Sequence, residues 1–266
     1  MTLFNLLLVA IVQGVTEFLP VSSSGHLILL PLLTGMTDQG LAIDVAVHVG
    51  TLGAVVLYFW RDVSLGLSGL PRLLTGRADT PGARLALCLV VATIPVMAAG
   101  LVIKLLGLDL MLRSLAVIGW AMLIFGIVLW WADRRPEPHE ARDWSLRHAV
   151  IMGLWQALAL IPGTSRSGIT ISGARVLGYG REDAARLSML MSIPTILASA
   201  TLLGADVVGE ADAELWRNAA IGAVFAFGAA LLALTLMMRL LRAVSYTPYV
   251  IYRIILGIVL LALAYS

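Results

Sequence analysis

An all-α polytopic membrane protein, with six transmembrane helices and two re-entrant helical hairpins in an inverted-topology repeat, is predicted by three features of the 266-residue sequence. Composition is the first: 60% of residues are hydrophobic, 13% are charged, and mean hydropathy is +0.95, too little polar surface to clothe a soluble domain. The second is a pair of similar polar segments, starting at Gln13 and Gln156 and reaching Gly25 and Gly168 through a Pro and a run of hydroxyls. The third is the sorting of basic residues onto alternate loops.

The elements follow in chain order. Residues 1–35 hold the first polar segment in a helix-break-helix stretch whose arms are too short for two full spans, so it is expected to be a re-entrant hairpin buried in protein. Before Arg61 there is no Lys or Arg, so the apolar start lacks the basic region of a secretory signal and is expected to belong to the fold. Three spans follow, at roughly 41–60, 85–106 and 114–132, each near the ~20 residues that hydrocarbon thickness requires. Residues 148–178 repeat the hairpin, and spans at roughly 186–203, 217–238 and 248–265 close the chain. Phe125-Gly-Ile-Val-Leu-Trp-Trp-Ala132 resembles Leu256-Gly-Ile-Val-Leu-Leu-Ala-Leu263. One membrane domain is therefore expected to contain two repeats, 1–135 and 145–266. Three spans per repeat is an odd number, so the second copy is inverted.

Charge tests that topology. Arg61, Arg72, Arg77, Arg84, Arg134, Arg135, Arg142, Arg147, Arg181, Arg186, Arg239 and Arg242 fall on one side. Lys104, Arg113 and Arg217 fall on the other, with the acidic loop of Asp206, Glu210, Asp212 and Glu214. The first side is expected to be cytoplasmic, so both termini and the mouth of the first hairpin face outward. The net charge of +2 comes without an aromatic-interleaved basic patch, and no nucleic-acid partner is expected. Cys88 is the single cysteine, which excludes an intrachain disulfide and a Cys-based metal cluster.

Gln13 and Glu17 are spaced i,i+4 and share a helix face. Pro20 ends that helix, and Ser22, Ser23 and Ser24 are natural N-caps for a second arm carrying His26. Pro162-Gly163 is the second break, with Thr164, Ser165 or Ser167 capping a helix through Thr170. Two helix N-termini facing each other inside the membrane form an anion site. Arg166 narrows the anion to phosphate or carboxylate, because a guanidinium binds either bidentately and keeps its charge when buried. An anion cradle beside an acid and an imidazole points to phosphoryl chemistry.

These segments resemble the undecaprenyl-diphosphate phosphatases of bacterial membranes, the bacitracin-resistance proteins, over nearly the whole chain. The resemblance rests on Gln13 and Glu17, on Phe-Leu-Pro-Val-Ser-Ser-Ser-Gly-His ending at His26, and on Pro162-Gly-Thr-Ser-Arg-Ser-Gly-Ile-Thr170. It implies removal of the terminal phosphate of a polyprenyl diphosphate lipid at the outer leaflet of the plasma membrane, recycling the peptidoglycan carrier, and dependence on a divalent cation (Mg2+ or Ca2+). Some members carry Glu where this chain has Gln13. Glu17 is then expected either to touch a metal held mainly by the substrate phosphates or to hold His26 in a basic tautomer.

The resulting expectation is in-line attack by Ser23, His26 as general base, and Arg166 with the helix N-termini stabilising the phosphoryl oxygens. Water then hydrolyses a phosphoserine. Ser22, Ser24 and His26 remain alternative nucleophiles. Gln13, Ser22, Gly163, Ser165, Ser167 and Thr170 are expected to bind substrate. His48, beside Gly50 and Gly53, reads as a core histidine, and Arg175 and Arg253 are left outside the site, against lipid headgroups or a loop carboxylate. A secondary transporter or lipid-carrier flippase using Arg166 as its anion site is the competing function. A phosphatidic-acid-type phosphatase fails, because Ser172 and Val128 stand where it needs His and Lys. Membrane lipids surround the spans, and a homodimer is among the assemblies the sequence leaves open.

Overall fold

The structure is a computed structural model that describes residues 2–36, 39–108, 112, 114–208 and 213–266, with the side chains of 32 and 204–208 outside the description. Arg113, Glu210, Asp212 and the Asp206 side chain, used above for charge sorting, lie outside it. Eleven α-helices occupy the described residues: α1 Leu3–Phe18, α2 Ser23–Thr34, α3 Leu41–Tyr58, α4 Trp60–Leu74, α5 Pro81–Leu105, α6 Leu115–Ala132, α7 Leu146–Ala157, α8 Arg166–Val176, α9 Arg181–Val208, α10 Ala213–Leu240 and α11 Thr247–Tyr265. Six of them, α3, α5, α6, α9 through Leu203, α10 and α11, are long and apolar enough to cross a membrane. Their outward faces carry large apolar side chains such as Trp120, Ile124, Ile127, Ile255 and Ile258, the surface hydrocarbon requires.

One element was not foreseen. Residues 60–74, expected as a cytoplasmic loop, form α4, whose buried Gly66 and Gly69 lie on the face toward α5. The sequence shows little of it because Gly and Pro71 depress helix propensity, and tertiary packing overrides propensity.

The two polar segments interrupt helices in the same way. α1 gives way at Leu19 to extended backbone, and Ser22 at φ 73° caps α2 by accepting from the Gly25 amide. After α7 a 3-10 turn, Leu158–Leu160, leads to the second break, and Ser165 at φ 69° caps α8 by accepting from the Gly168 amide. These serines are the only non-glycine residues with positive φ among the described residues. Left-handed backbone costs an L-residue about 1–2 kcal/mol, and such strain is a marker of functional positions.

α1 packs on α10 and α7 on α5, while α3 contacts α10 as α9 contacts α5; α6 pairs with α11 and α3 with α9. The first two contacts are close enough to demand glycine. A Cβ on Gly14 would sit 2.6 Å from the Ala226 carbonyl oxygen, and one on Gly153 would sit 2.6 Å from that of Ala92. The breaks also bind each other. Ser24 Oγ accepts from the Gly163 amide at 3.5 Å, and Ser167 Oγ donates to the Leu19 carbonyl at 3.0 Å. The main core joins residues of α1, α3 and α5 through α11.

At the basic end, Arg175 is buried and binds the carboxylates of Asp133 (3.7 Å) and Glu137 (2.9 Å) as well as the carbonyls of Tyr179, Asp133 and Arg135. Of its two expected environments, the loop carboxylate is the one present. Asp133 also holds Arg181, and burial raises the Tyr179 phenol above its usual range. Arg134 and Arg135 stack on Trp130 and Trp131 at 3.5 and 4.0 Å.

Candidate active site

Position N1 of a helix follows its N-cap, and its side chain stands at the helix mouth. In α2 that residue is Ser23; in α8 it is Arg166. Because both breaks turn their helix mouths toward Glu17 near the end of α1, Ser23 and Arg166 meet the same carboxylate. Ser23 Oγ donates to Glu17 Oε2 at 2.9 Å, and Arg166 donates to Glu17 Oε1 at 3.1 Å. A third donor, Gln13 Nε2, reaches Oε2 at 2.9 Å from one turn back on α1. Only 6% of the Glu17 side chain is exposed, so these contacts offset the high cost of burying the charge.

Around this cluster lies a cavity of about 340 Å³, within the ~300–1,000 Å³ typical of small-molecule sites. Glu17, Ser22, Ser23, Ser24, Ser165 and Arg166 form one wall. The other comes from α3, with Leu41, Asp44, Val45 and His48, and from α9, with Thr195, Ile196, Ser199, Ala200 and Leu203. The first wall is polar throughout and the second mixes Asp44, His48, Thr195 and Ser199 with the apolar Leu41, Val45, Ile196, Ala200 and Leu203, a lining that suits a ligand anionic at one end and hydrocarbon at the other.

Not every expected residue reaches the cavity. Gln13 is fully buried and acts through Glu17. Thr170 is buried beneath α8, its hydroxyl 2.6 Å from Ser188 Oγ and bonded to the Arg166 and Ser167 carbonyls. Ser167 spends its hydroxyl on the Leu19 carbonyl. Gly163, at φ 91°, has Ile118 backbone where a Cβ would go, its oxygen at 2.5 Å. These residues shape the break instead of facing a ligand.

His26 departs furthest from expectation. Its Nδ1 donates to the Ser22 carbonyl at 2.7 Å, and its Nε2 is 2.5 Å from the Tyr252 hydroxyl, the two rings lying parallel. With Nδ1–H committed, the Nε2 lone pair is taken by Tyr252. His26 is absent from the cavity wall and does not serve Ser23 as a base in this arrangement. The reason is helical: the i−4 carbonyl bond draws the ring back along α2 toward α11.

A model of the family described as "Bacitracin resistance protein BacA" matches residues 6–259. The chain belongs to that family. Among curated BacA-family relatives, the undecaprenyl-diphosphatase of Dinoroseobacter shibae is 73% identical and that of Ruegeria pomeroyi 70%, each over the whole of both chains. Undecaprenyl-diphosphatase 1 of Rhodospirillum rubrum is 47% identical over all of this chain and 96% of its own length.

Two residues of this BacA-family chain were misjudged from sequence. His48 is not core: its side chain is 36% exposed, lines the cavity, and its Nε2 lies 3.7 Å from Glu17 Oε2. The signal was present, since Asp44 and His48 sit i,i+4 in an apolar span, the spacing that singled out Gln13 and Glu17. Arg253 is fully buried in α11 and donates to the carbonyls of Pro20 (3.3 Å), Ala121 (3.5 Å), Met122 (3.4 Å) and Gly163 (3.0 Å). It thereby ties together the two breaks. A charge inside the last span was as visible as Arg166, and the same intramembrane rule applied.

The donor set does not fit a protein-built metal centre. Both Glu17 oxygens are engaged by Gln13, Ser23 and Arg166. Among the described residues no three His, Cys, Asp or Glu side chains are grouped to hold a metal ion.

Proposed function

We propose that this chain is a multi-pass plasma-membrane hydrolase that cleaves undecaprenyl diphosphate to undecaprenyl phosphate and inorganic phosphate at the outer leaflet. It thereby recycles the peptidoglycan lipid carrier and confers bacitracin resistance. The observation that carries the reading is the convergence of Ser23 and Arg166 on Glu17 in one cavity lined by both polar and apolar side chains. The name undecaprenyl-diphosphatase on relatives up to 73% identical supports it.

The diphosphate enters with its terminal phosphoryl group at the mouths of α2 and α8. Arg166 transfers its guanidinium from Glu17 to the phosphoryl oxygens, and the two helix N-termini add dipole stabilisation where charge develops. Losing that ion pair makes Glu17 a better proton acceptor at the moment substrate is bound. Ser23 Oγ attacks the phosphorus in line, its proton passes along the existing 2.9 Å bond to Glu17, and undecaprenyl phosphate leaves. Water then hydrolyses the phosphoserine. In this mechanism Glu17 replaces His26 as the base, and His26 orients the start of α2 through the Ser22 carbonyl. A divalent cation would be held mainly by the substrate's own phosphate oxygens, where it would offset part of their charge.

The architecture is read as two inverted repeats, 1–135 and 145–266, each a re-entrant hairpin followed by three spans. What supports this is the matched packing of α1 on α10 with α7 on α5, and of α3 on α10 with α9 on α5. The cavity is bounded by the ends of α3 and α9 remote from Arg61 and Arg181. With the basic end cytoplasmic, it opens outward.

Purified protein in detergent should release inorganic phosphate from undecaprenyl diphosphate when Mg2+ or Ca2+ is supplied. No release with any divalent cation, together with movement of the lipid across vesicles, would replace hydrolysis by transport.

A further inference from the structure

The second half of the proposed reaction lacks a proton acceptor. After Ser23 has been phosphorylated, Glu17 holds the Ser23 proton. The leaving lipid phosphate is a stable anion that needs no proton, and Glu17, with only 6% of its side chain exposed, keeps the proton for Ser23 Oγ, which takes it back on departing from phosphorus. A carboxylic acid in that state cannot activate water. His26 offers no lone pair to the cavity, because Tyr252 takes it. His48 does.

Its Nδ1 donates to the Asp44 carbonyl at 2.7 Å, which can only accept, so the ring proton is fixed on Nδ1. The Nε2 lone pair then faces the cavity, 3.7 Å from Glu17 Oε2. That separation is too long for a hydrogen bond, so the lone pair is not spent on Glu17, and both groups line the same cavity. Ser23 Oγ lies 2.9 Å from the same Glu17 oxygen, so a phosphoryl group on Ser23 is formed in the cavity that His48 lines.

We propose that His48 is the catalytic residue of dephosphorylation, the general base for the water that clears phospho-Ser23. This rests on the covalent reading given above. In the step, the water oxygen bonds to phosphorus as the bond from phosphorus to Ser23 Oγ breaks. The water proton goes to His48 Nε2, and Ser23 Oγ recovers its proton from Glu17. Inorganic phosphate leaves, and His48 passes its proton to solvent through the open cavity. Glu17 thus serves as base in the first half-reaction and His48 in the second.

The test is a rapid-quench experiment with undecaprenyl diphosphate labelled in its terminal phosphate. His48→Asn, which can still donate to the Asp44 carbonyl, and His48→Gln are compared with the native chain and with Ser23→Ala. Both His48 variants should release one equivalent of lipid monophosphate in a burst and retain the label on Ser23. Their steady-state phosphate release should fall about 10²–10⁴-fold, the usual contribution of a general base. Imidazole added to His48→Gly should speed loss of the label. The burst shows the variant site to be assembled, so a folding defect cannot mimic this result. Unchanged phosphate release, or a loss of release with no labelled protein in any variant that keeps native thermal stability, overturns the assignment and leaves Ser23 chemistry standing. Near-native release by Ser23→Ala overturns both, since no phosphoserine then exists.

Discussion

Replacing Gln13 with Glu places a second carboxylate against Glu17. In the native chain Gln13 Nε2 donates to Glu17 Oε2 at 2.9 Å, in a position with no solvent exposure, and Gln13 Oε1 has no partner. Two like charges at that distance repel by about 6 kcal/mol at an effective dielectric constant near 20. The hydrogen bond being lost contributes only about 1.5–3 kcal/mol. Repulsion therefore dominates, and the pair must capture a proton or a divalent cation to remain folded. Mn2+ binding to lipid-free protein in detergent, followed by isothermal titration and by thermal unfolding, reads this directly. The native chain should show no saturable site. Gln13→Glu should bind one ion per chain, with unfolding temperature rising as the ion is added. Stoichiometric Mn2+ binding to the lipid-free native chain would refute the claim that its donor set builds no metal centre. A variant that binds no ion, takes up no proton on folding and unfolds like the native chain would refute the electrostatic reasoning.

Arg166→Lys keeps the charge and loses the planar fork, and kcat/KM for undecaprenyl diphosphate should fall about 10²–10³-fold; a steady-state assay giving less than a tenfold loss would remove Arg166 from the reacting phosphoryl group. Gly163→Ala combines a left-handed φ with a Cβ 2.5 Å from the Ile118 carbonyl, a destabilisation of about 2–5 kcal/mol that thermal unfolding in detergent should register as a clear drop. His26→Asn and Tyr252→Phe should lower activity by similar factors and combine non-additively, with about 0.5–3 kcal/mol of coupling. Additive effects would separate the imidazole from the phenol.

Most of the fold was legible because hydrocarbon imposes length and polarity on each span, and the six spans fall where those limits place them. The breaks were legible for a related reason: Pro20 and Pro162 with hydroxyl runs have no place in a lipid-facing helix. α4 was not legible, since its helicity depends on glycines packing against α5. Of the site, Glu17, Ser23 and Arg166 could be found because they are chemically out of place in a membrane. Their shared geometry follows from each N1 residue standing after a serine cap. His26 was overvalued because its sequence neighbourhood conceals where the ring points; its i−4 carbonyl bond and Tyr252, 226 residues away, decide that. His48 was undervalued because adjacent glycines suggested packing, whereas the tertiary fold lays that face of α3 against the cavity.

Ser23 Oγ, held by Glu17 and faced by Arg166, is proposed to take the phosphoryl group. That role is tested most directly by measuring phosphate release from undecaprenyl diphosphate by Ser23→Ala protein whose thermal stability matches that of the native chain. Release should fall to the level of the protein-free background. Turnover within a few-fold of the native rate would contradict it.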